Sequence, residues 1–169
     1  MRGKRREWDS AGAGPSSPHR AAKLTGAGGC TVTGAGQARV GNALSAYTGS
    51  TRVEGANRAF KTDNAFGKTA SLYMDGQSKV DLRGHSQTIG GLSGVEGAVL
   101  SLGADSVSTG RLVVNQSADT DFGGVLAGYG ELQKLGSGRL TLRGRNSLRG
   151  EPDIRAGPLV VQGGLGSCR

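Results

Sequence analysis

The chain is expected to fold entirely from short β-strands stacked as a solenoid, and three observations predict it. Apolar residues recur with a period of two: in RLTLR, Leu140 and Leu142 point to one face while Arg139, Thr141 and Arg143 point to the other. Glycine supplies 32 of the 169 residues, a density that no helix survives. Within Leu112–Gly144 these glycines close one short strand after another with tight turns. Finally, a unit recurs. Thr25–Gly34, TGAGGCTVTG, aligns without a gap with Leu135–Gly144, LGSGRLTLRG. Ala46–Ala56, AYTGSTRVEGA, aligns with Ser147–Gly157, SLRGEPDIRAG, the first copy carrying about nine extra residues between the two stretches. A solenoid stacks such units so that each buries its neighbour's apolar stripe.

Taken in order, residues 1–23 read as a disordered basic leader, residues 24–165 as the solenoid and residues 166–169 as a tail. The pattern begins at Leu24 with LTGAGGCTVTGAG, where Cys30 and Val32 alternate with Thr31 and Thr33. Residues 35–46 are irregular. Strands are expected at Thr51–Glu54, Ser71–Met74, Lys79–Leu82, Ala98–Leu102 and Arg111–Val114, then around Val125, Leu140, Asp153–Arg155 and Leu159–Val161. Val80 shares a face with Leu82, and Leu100 with Leu102. Spacings of roughly 8–12 residues between strands suit an all-β fold, and no helix is expected.

Composition supports a narrow core. Apolar residues make up 35% of the chain and aromatics 4%, too little bulk for a wide globular interior but enough for a linear one. Collagen is excluded, because the glycines keep no three-residue period and there are four prolines. The net charge of +8 is concentrated at the ends: residues 1–23 carry six basic and two acidic side chains, residues 131–169 seven and three, and the middle balances. Nucleic-acid binding would want basic residues interleaved with stacking aromatics, and Trp8 alone stands near the head cluster. No nucleic-acid partner is expected.

Cys30 and Cys168 form neither a disulfide framework nor a metal site. The basic start MRGKRREW is followed by polar residues rather than an apolar run, so no signal peptide is read. No segment has the length and apolarity of a membrane-spanning helix, and no direct membrane insertion is expected. Gly84-His85-Ser86-Gln87-Thr88 approximates a nucleophile elbow but lacks the final glycine, and reads instead as a polar turn before TIGGLSG. Phe66-Gly67-Lys68-Thr69 lacks the first glycine of a phosphate loop. His19 and His85 are isolated, and Asp105, Asp119 and Asp121 fall outside any calcium repeat, so they read as turn carboxylates. Asn115-Gln116-Ser117 is formally a glycosylation sequon. No catalytic, cofactor-binding or metal-ligating residues are assigned.

The stretch KLGSGRLTLRGRNSLRGEPDIRAGPLVVQGG resembles the passenger-associated strand repeat of bacterial autotransporters, whose pattern runs K-T-G-x-G-x-L-x-L-x-G-x-N-x-Y-x-G-x-T-x-V-x-x-G-x-L-x-V. The matching positions are Lys134, Gly136, Gly138, Leu140, Leu142, Gly144, Asn146, Gly150, Ile154, Gly157, Leu159 and Val161. Leu148 stands where the family has tyrosine, and Glu151-Pro152 replaces a Gly-Thr-type pair. Proline cannot donate to a ladder, so that rung is expected to be broken or to sit on an edge. The resemblance covers roughly Leu24 to Leu165 and implies a right-handed parallel β-helix displayed on the cell surface. It further implies a C-terminal outer-membrane barrel as partner, a stalk role without catalysis or cofactor, and alternatively an adhesin whose outward loops, such as Phe60–Lys68, contact a host glycan or protein. With neither signal peptide nor barrel in the sequence, the chain is expected to be a fragment of such a passenger, a truncated gene product or a mis-called reading frame.

Overall fold

The computed structural model describes residues 25–26, 28–33, 38–40, 46–55, 57–60, 62–66 and 71–165. The expected leader, the tail, Cys168, His19 and Gly67-Lys68-Thr69 lie outside the described residues. Every element described is a strand or a turn, and the strands follow one another coil by coil. β1 (Thr25–Gly26) precedes the first coil, which holds β2 (Cys30–Thr33), β3 (Ala38–Val40) and β4 (Ala46–Tyr47), with β4 paired to β1 one coil earlier. The second holds β5 (Thr51–Glu54) and β6 (Asn57–Phe60). A three-strand coil then repeats: β7 (Leu72–Met74), β8 (Lys79–Asp81) and β9 (Gln87–Ile89), then β10 (Leu92–Gly94), β11 (Val99–Ser101) and β12 (Gly110–Asn115). β13 (Thr120–Phe122), β14 (Val125–Gly128) and β15 (Gly130–Leu135) make the next. β16 (Leu140–Leu142), β17 (Ser147–Leu148), β18 (Asp153–Ile154) and β19 (Leu159–Val161) complete the stack.

Strands from successive coils pair in parallel, giving three long sheets. The first runs β2-β5-β7-β10-β13-β16-β19, the second β3-β6-β8-β11-β14-β17 and the third β9-β12-β15-β18. A short β1-β4 pair stands beside them. From β7 onward each coil visits the three sheets in turn, which is the all-β parallel β-helix that was expected. Register sets the period. In the first sheet Cys30 pairs with Thr51, Thr51 with Leu72 and Leu72 with Leu92, and Thr120 with Leu140 further on, so these coils take 20 or 21 residues, and the last, from Leu140 to Leu159, takes 19. The coil between Gly94 and Phe122 takes 28. The excess is accommodated in the second and third sheets' connection, where Gly103–Thr109 leaves the stack and Val107 is 91% exposed at its tip.

Register also builds the core. Alternation sends every second residue inward, and the next coil places a like residue above it. Val80, Leu100 and Leu126 form one such column and Leu112 and Leu132 another, all almost entirely buried. Each buried leucine contributes roughly 1.5–3 kcal/mol of transfer free energy, and a column needs only one coil's width to do so. That is how a chain with so few aromatics buries an interior. Phe66 and Phe122 are the described phenylalanines that enter it.

The opening alternation is as read, with one qualification: Leu140 and Leu142 are buried, and outward Thr141 is covered too, at 7% exposure. The polar turn expected before TIGGLSG is corrected, because Gln87–Ile89 is strand β9 and Gln87 is buried. Its amide is satisfied there, Nε2 donating to the Thr62 carbonyl at 2.7 Å and Oε1 accepting from the Phe66 amide at 3.3 Å. The irregular stretch 35–46 contains β3. Of the two alignments, Thr25–Gly34 with Leu135–Gly144 superposes β2 on β16, both in the first sheet. The second instead sets β5, in the first sheet, against β18, in the third. The nine-residue offset therefore reflects a shift between faces rather than an insertion. Pro152 precedes β18, which is the edge strand of its sheet.

Candidate functional site

The positions singled out by the repeat pattern fall mostly on the corners, where the chain turns from one sheet to the next. Lys134 is the least expected of them. It occupies an inward position of β15, in register with Val114 below and Ile154 above, and is fully buried. Its ammonium donates to the carbonyl oxygens of Leu135 at 2.8 Å, Gly136 at 2.9 Å and Ala156 at 3.2 Å. Burial pushes its pKa below the usual lysine value, partly countered by the Asp119 carboxylate. A buried charge needs such a set of acceptors.

Asn146 does the same at the next corner. Its Nδ2 donates to Gly144 at 2.8 Å and Gly164 at 3.0 Å, while Oδ1 accepts from the Leu126 amide at 2.9 Å. One side chain thereby bridges three coils. Gln116, a residue the pattern did not flag, donates to Ala118 at 3.0 Å and Arg139 at 2.7 Å and accepts from the Thr120 hydroxyl at 3.1 Å. Corners free backbone carbonyls from the ladders, and these interior donors satisfy them.

The pattern's glycines are explained by close approach. A Cβ on Gly144 would overlap the carbonyl of Gly124 one coil earlier, and one on Gly150 that of Gly130. Gly138 abuts Ala118 in the same way, while Gly136 and Gly157 adopt φ of 76° and 68°. Ile154 continues the Val114–Lys134 column but is 51% exposed, since among the described residues no strand covers its far side.

Outside the core, the coil period turns sequence neighbours 20 apart into vertical neighbours. Arg111 pairs with Glu131 at 2.8 Å, and Gln133 donates to Asp153 at 2.8 Å. Arg52 pairs with Glu54 and lies over the Tyr73 ring, 4.3 Å from its centroid. His85 Nδ1 stands 3.3 Å from Asp63, whose same oxygen accepts the Ser86 amide at 2.7 Å. The serine is engaged there through its backbone, so the Gly84–Thr88 stretch is built as a turn-to-strand junction.

A concavity lies on the outer face of the first sheet, across β13, β16 and β19. It is a groove of about 340 Å³. Register supplies its floor, with Thr141 above Asp121 and Val160 above Thr141. Its walls are Asp119 and Arg139 on one side and Arg143 and Gln162 on the other. Arg143 donates to Asp121 at 3.1 Å and to Gln162 at 3.0 Å, crossing all three rungs. Hydrogen bonds from Arg143 and Thr141 hold the Asp121 carboxyl below its usual pKa. Asp119 accepts from the backbone amide of Arg139 at 2.8 Å. Asp119 and Asp121 read in the sequence as turn carboxylates, and Arg139, Thr141 and Arg143 as outward strand positions; the period of 20 is the signal that joins them. Asp105 is elsewhere, accepting the amides of Val107 at 3.0 Å and Ser108 at 2.7 Å in its own turn. Among the described residues no three His, Cys, Asp or Glu side chains converge as a metal site. Among the described residues no helix is long and apolar enough to cross a membrane.

This architecture defines the described residues as a parallel β-solenoid with corner-capped coils and a polar groove on its outer face. No family model matches the chain, and no solved structure matches it. It is similar to an uncharacterized protein, YuaQ, of Escherichia coli (strain K12), with 31% identity over 113 residues. That alignment takes in 62% of this chain and 8% of the relative, so the chain spans a small part of the length of the curated relative it matches.

Proposed function

We propose that the chain is a structural stalk, a segment of the passenger of a bacterial autotransporter, without catalytic activity. The observation that carries this reading is the unbroken first sheet, whose ladder runs from β2 to β19 through every coil. A column of backbone hydrogen bonds with rungs about 4.8 Å apart, capped inside at its corners, suits a part whose task is to hold a fixed length. The repeat resemblance at Lys134–Val161 adds the context: export to the cell surface and, in the longer protein, an outer-membrane barrel. A stalk of this kind gives a strand-dominated circular dichroism spectrum and an elongated small-angle scattering profile. A compact, globular profile overturns it.

A second reading, a surface adhesin, is favoured by the groove over β13, β16 and β19. An adhesin attaches the purified chain saturably to cells or extracellular material; a stalk alone leaves it unbound.

A further inference from the structure

The groove contains a guanidinium, Arg139, that acts on Asp121 only at a distance and makes no ion pair or ring contact among the described residues. Arg52, Arg83, Arg111, Arg143 and Arg155 are each ion-paired with a carboxylate, and Arg149 lies over the Tyr129 ring. Arg139 has neither kind of partner among the described residues, although Asp119 and Asp121 both border the same groove. Backbone geometry explains why. Asp119 is turned to the amide of Arg139 at 2.8 Å, and Asp121 is taken by Arg143 at 3.1 Å. The planar fork of Arg139 is left for something from outside, and such a fork matches a carboxylate with two parallel hydrogen bonds.

From this arrangement we infer that the groove binds an acidic saccharide, the sugar's carboxylate on Arg139 and its hydroxyls on Asp119, Asp121 and Gln162. The inference rests on the adhesin reading and gives it a ligand class. Charge selects against simpler anions. Two carboxylates border the groove, so a phosphate or a polyanionic backbone meets repulsion on entering. A single carboxylate on an otherwise neutral ring meets less of it, and its hydroxyls are donors that carboxylates accept. Shape selects against a peptide. Thr141 and Val160 make a shallow floor with no deep apolar pocket for a side chain. At about 340 Å³ the groove is at the small end of ligand sites, which run from roughly 300 to 1,000 Å³, a size suited to one or two sugar rings.

The test titrates the full chain with three probes: a trisaccharide with a single terminal galacturonate and two neutral galactoses, a sialic-acid-terminated trisaccharide and a neutral galactose trisaccharide. At least one acidic probe binds saturably, and which one separates a uronic-acid source from a sialic-acid source. The neutral probe binds about tenfold more weakly, the scale of one charge-assisted hydrogen bond. Arg139→Gln weakens the acidic probe by a similar factor. Arg145→Gln, which removes another exposed guanidinium lacking an ion pair, leaves binding unchanged. Equal binding of neutral and acidic probes, or equal loss in the two variants, overturns the site. If no sugar binds but the chain still attaches saturably to cells, the ligand class is wrong and the adhesin reading stands. If it attaches to nothing, both are wrong.

Discussion

Replacing Lys134 by methionine tests whether the buried ammonium holds the C-terminal coils together. Methionine keeps the length of the side chain and its apolar stem but removes the donor. Of the three carbonyls that Lys134 caps, Leu135 also accepts the Gln116 amide at 3.3 Å, whereas Gly136 and Ala156 depend on the ammonium. Leaving two buried acceptors unpaired costs about 1–3 kcal/mol each. Against this, the variant no longer desolvates a charge, a gain of a few kcal/mol that the three hydrogen bonds had offset. The balance is a loss of about 2 kcal/mol, or about 4–8 °C in Tm for a domain of this size, read by thermal unfolding. Hydrogen exchange should quicken first in β15 and β18, which this corner joins. A second readout isolates the charge. Burial lowers the folded-state pKa of Lys134 below its ordinary 10.5, so between those two values the unfolded chain binds more protons than the folded one. Stability from this group must therefore rise with pH across that window, and Lys134→Met must remove the rise. If the variant melts at or above the parent temperature with an unchanged alkaline profile, the capping argument fails.

Three further outcomes follow from the geometry. Gly144→Ala places a Cβ against the Gly124 carbonyl and should cost about 3 kcal/mol by forcing two coils apart, whereas Gly28→Ala, with nothing within 4 Å, should change stability by about 0.5 kcal/mol or less; denaturant titration compares them. Asn146→Leu strips the bridge between Leu126, Gly144 and Gly164 and should destabilise by about 3 kcal/mol, since buried partners are left behind, with local exchange around β14 and β17 as the check. Asp75 is held below its usual pKa of 3.8 by the Ser78 hydroxyl and by the amides of Gly55, Gln77 and Ser78. A depressed carboxylate contributes stability that is complete above its unfolded pKa and lost as pH falls through the folded one. Acid titration of the parent should show that loss below about pH 4, and Asp75→Asn should flatten it.

The sequence shows its strands best where both inward residues are aliphatic. Val80 with Leu82, Leu100 with Leu102 and Leu140 with Leu142 announce themselves by period alone. β13 is hidden because TDF has one apolar residue, and β15 because GELQKL has a glycine and a lysine at inward positions. Gln87 and Lys134 defeat a polarity rule for the same reason. A solenoid corner makes buried polar side chains useful, and nothing local in the sequence distinguishes a corner from a surface turn. The coil period was masked by the 28-residue coil, and with it the groove, whose Asp119, Thr141 and Gln162 meet only once residues about 20 apart are stacked.

The ladders of this rod run along its length, so a pull on its two ends loads them one after another rather than side by side. Every rung then carries the same tension, and the coil at an end, supported from one side only, yields first. Each coil that peels away exchanges a rise of about 4.8 Å for some 20 residues of free chain, which can extend by about 70 Å. Such a rod acts under force as a reel, paying out slack coil by coil, with a longer step at the 28-residue coil, while the coils behind stay intact. Corner side chains such as Asn146, which bridge three coils, set the tension at which each length is released.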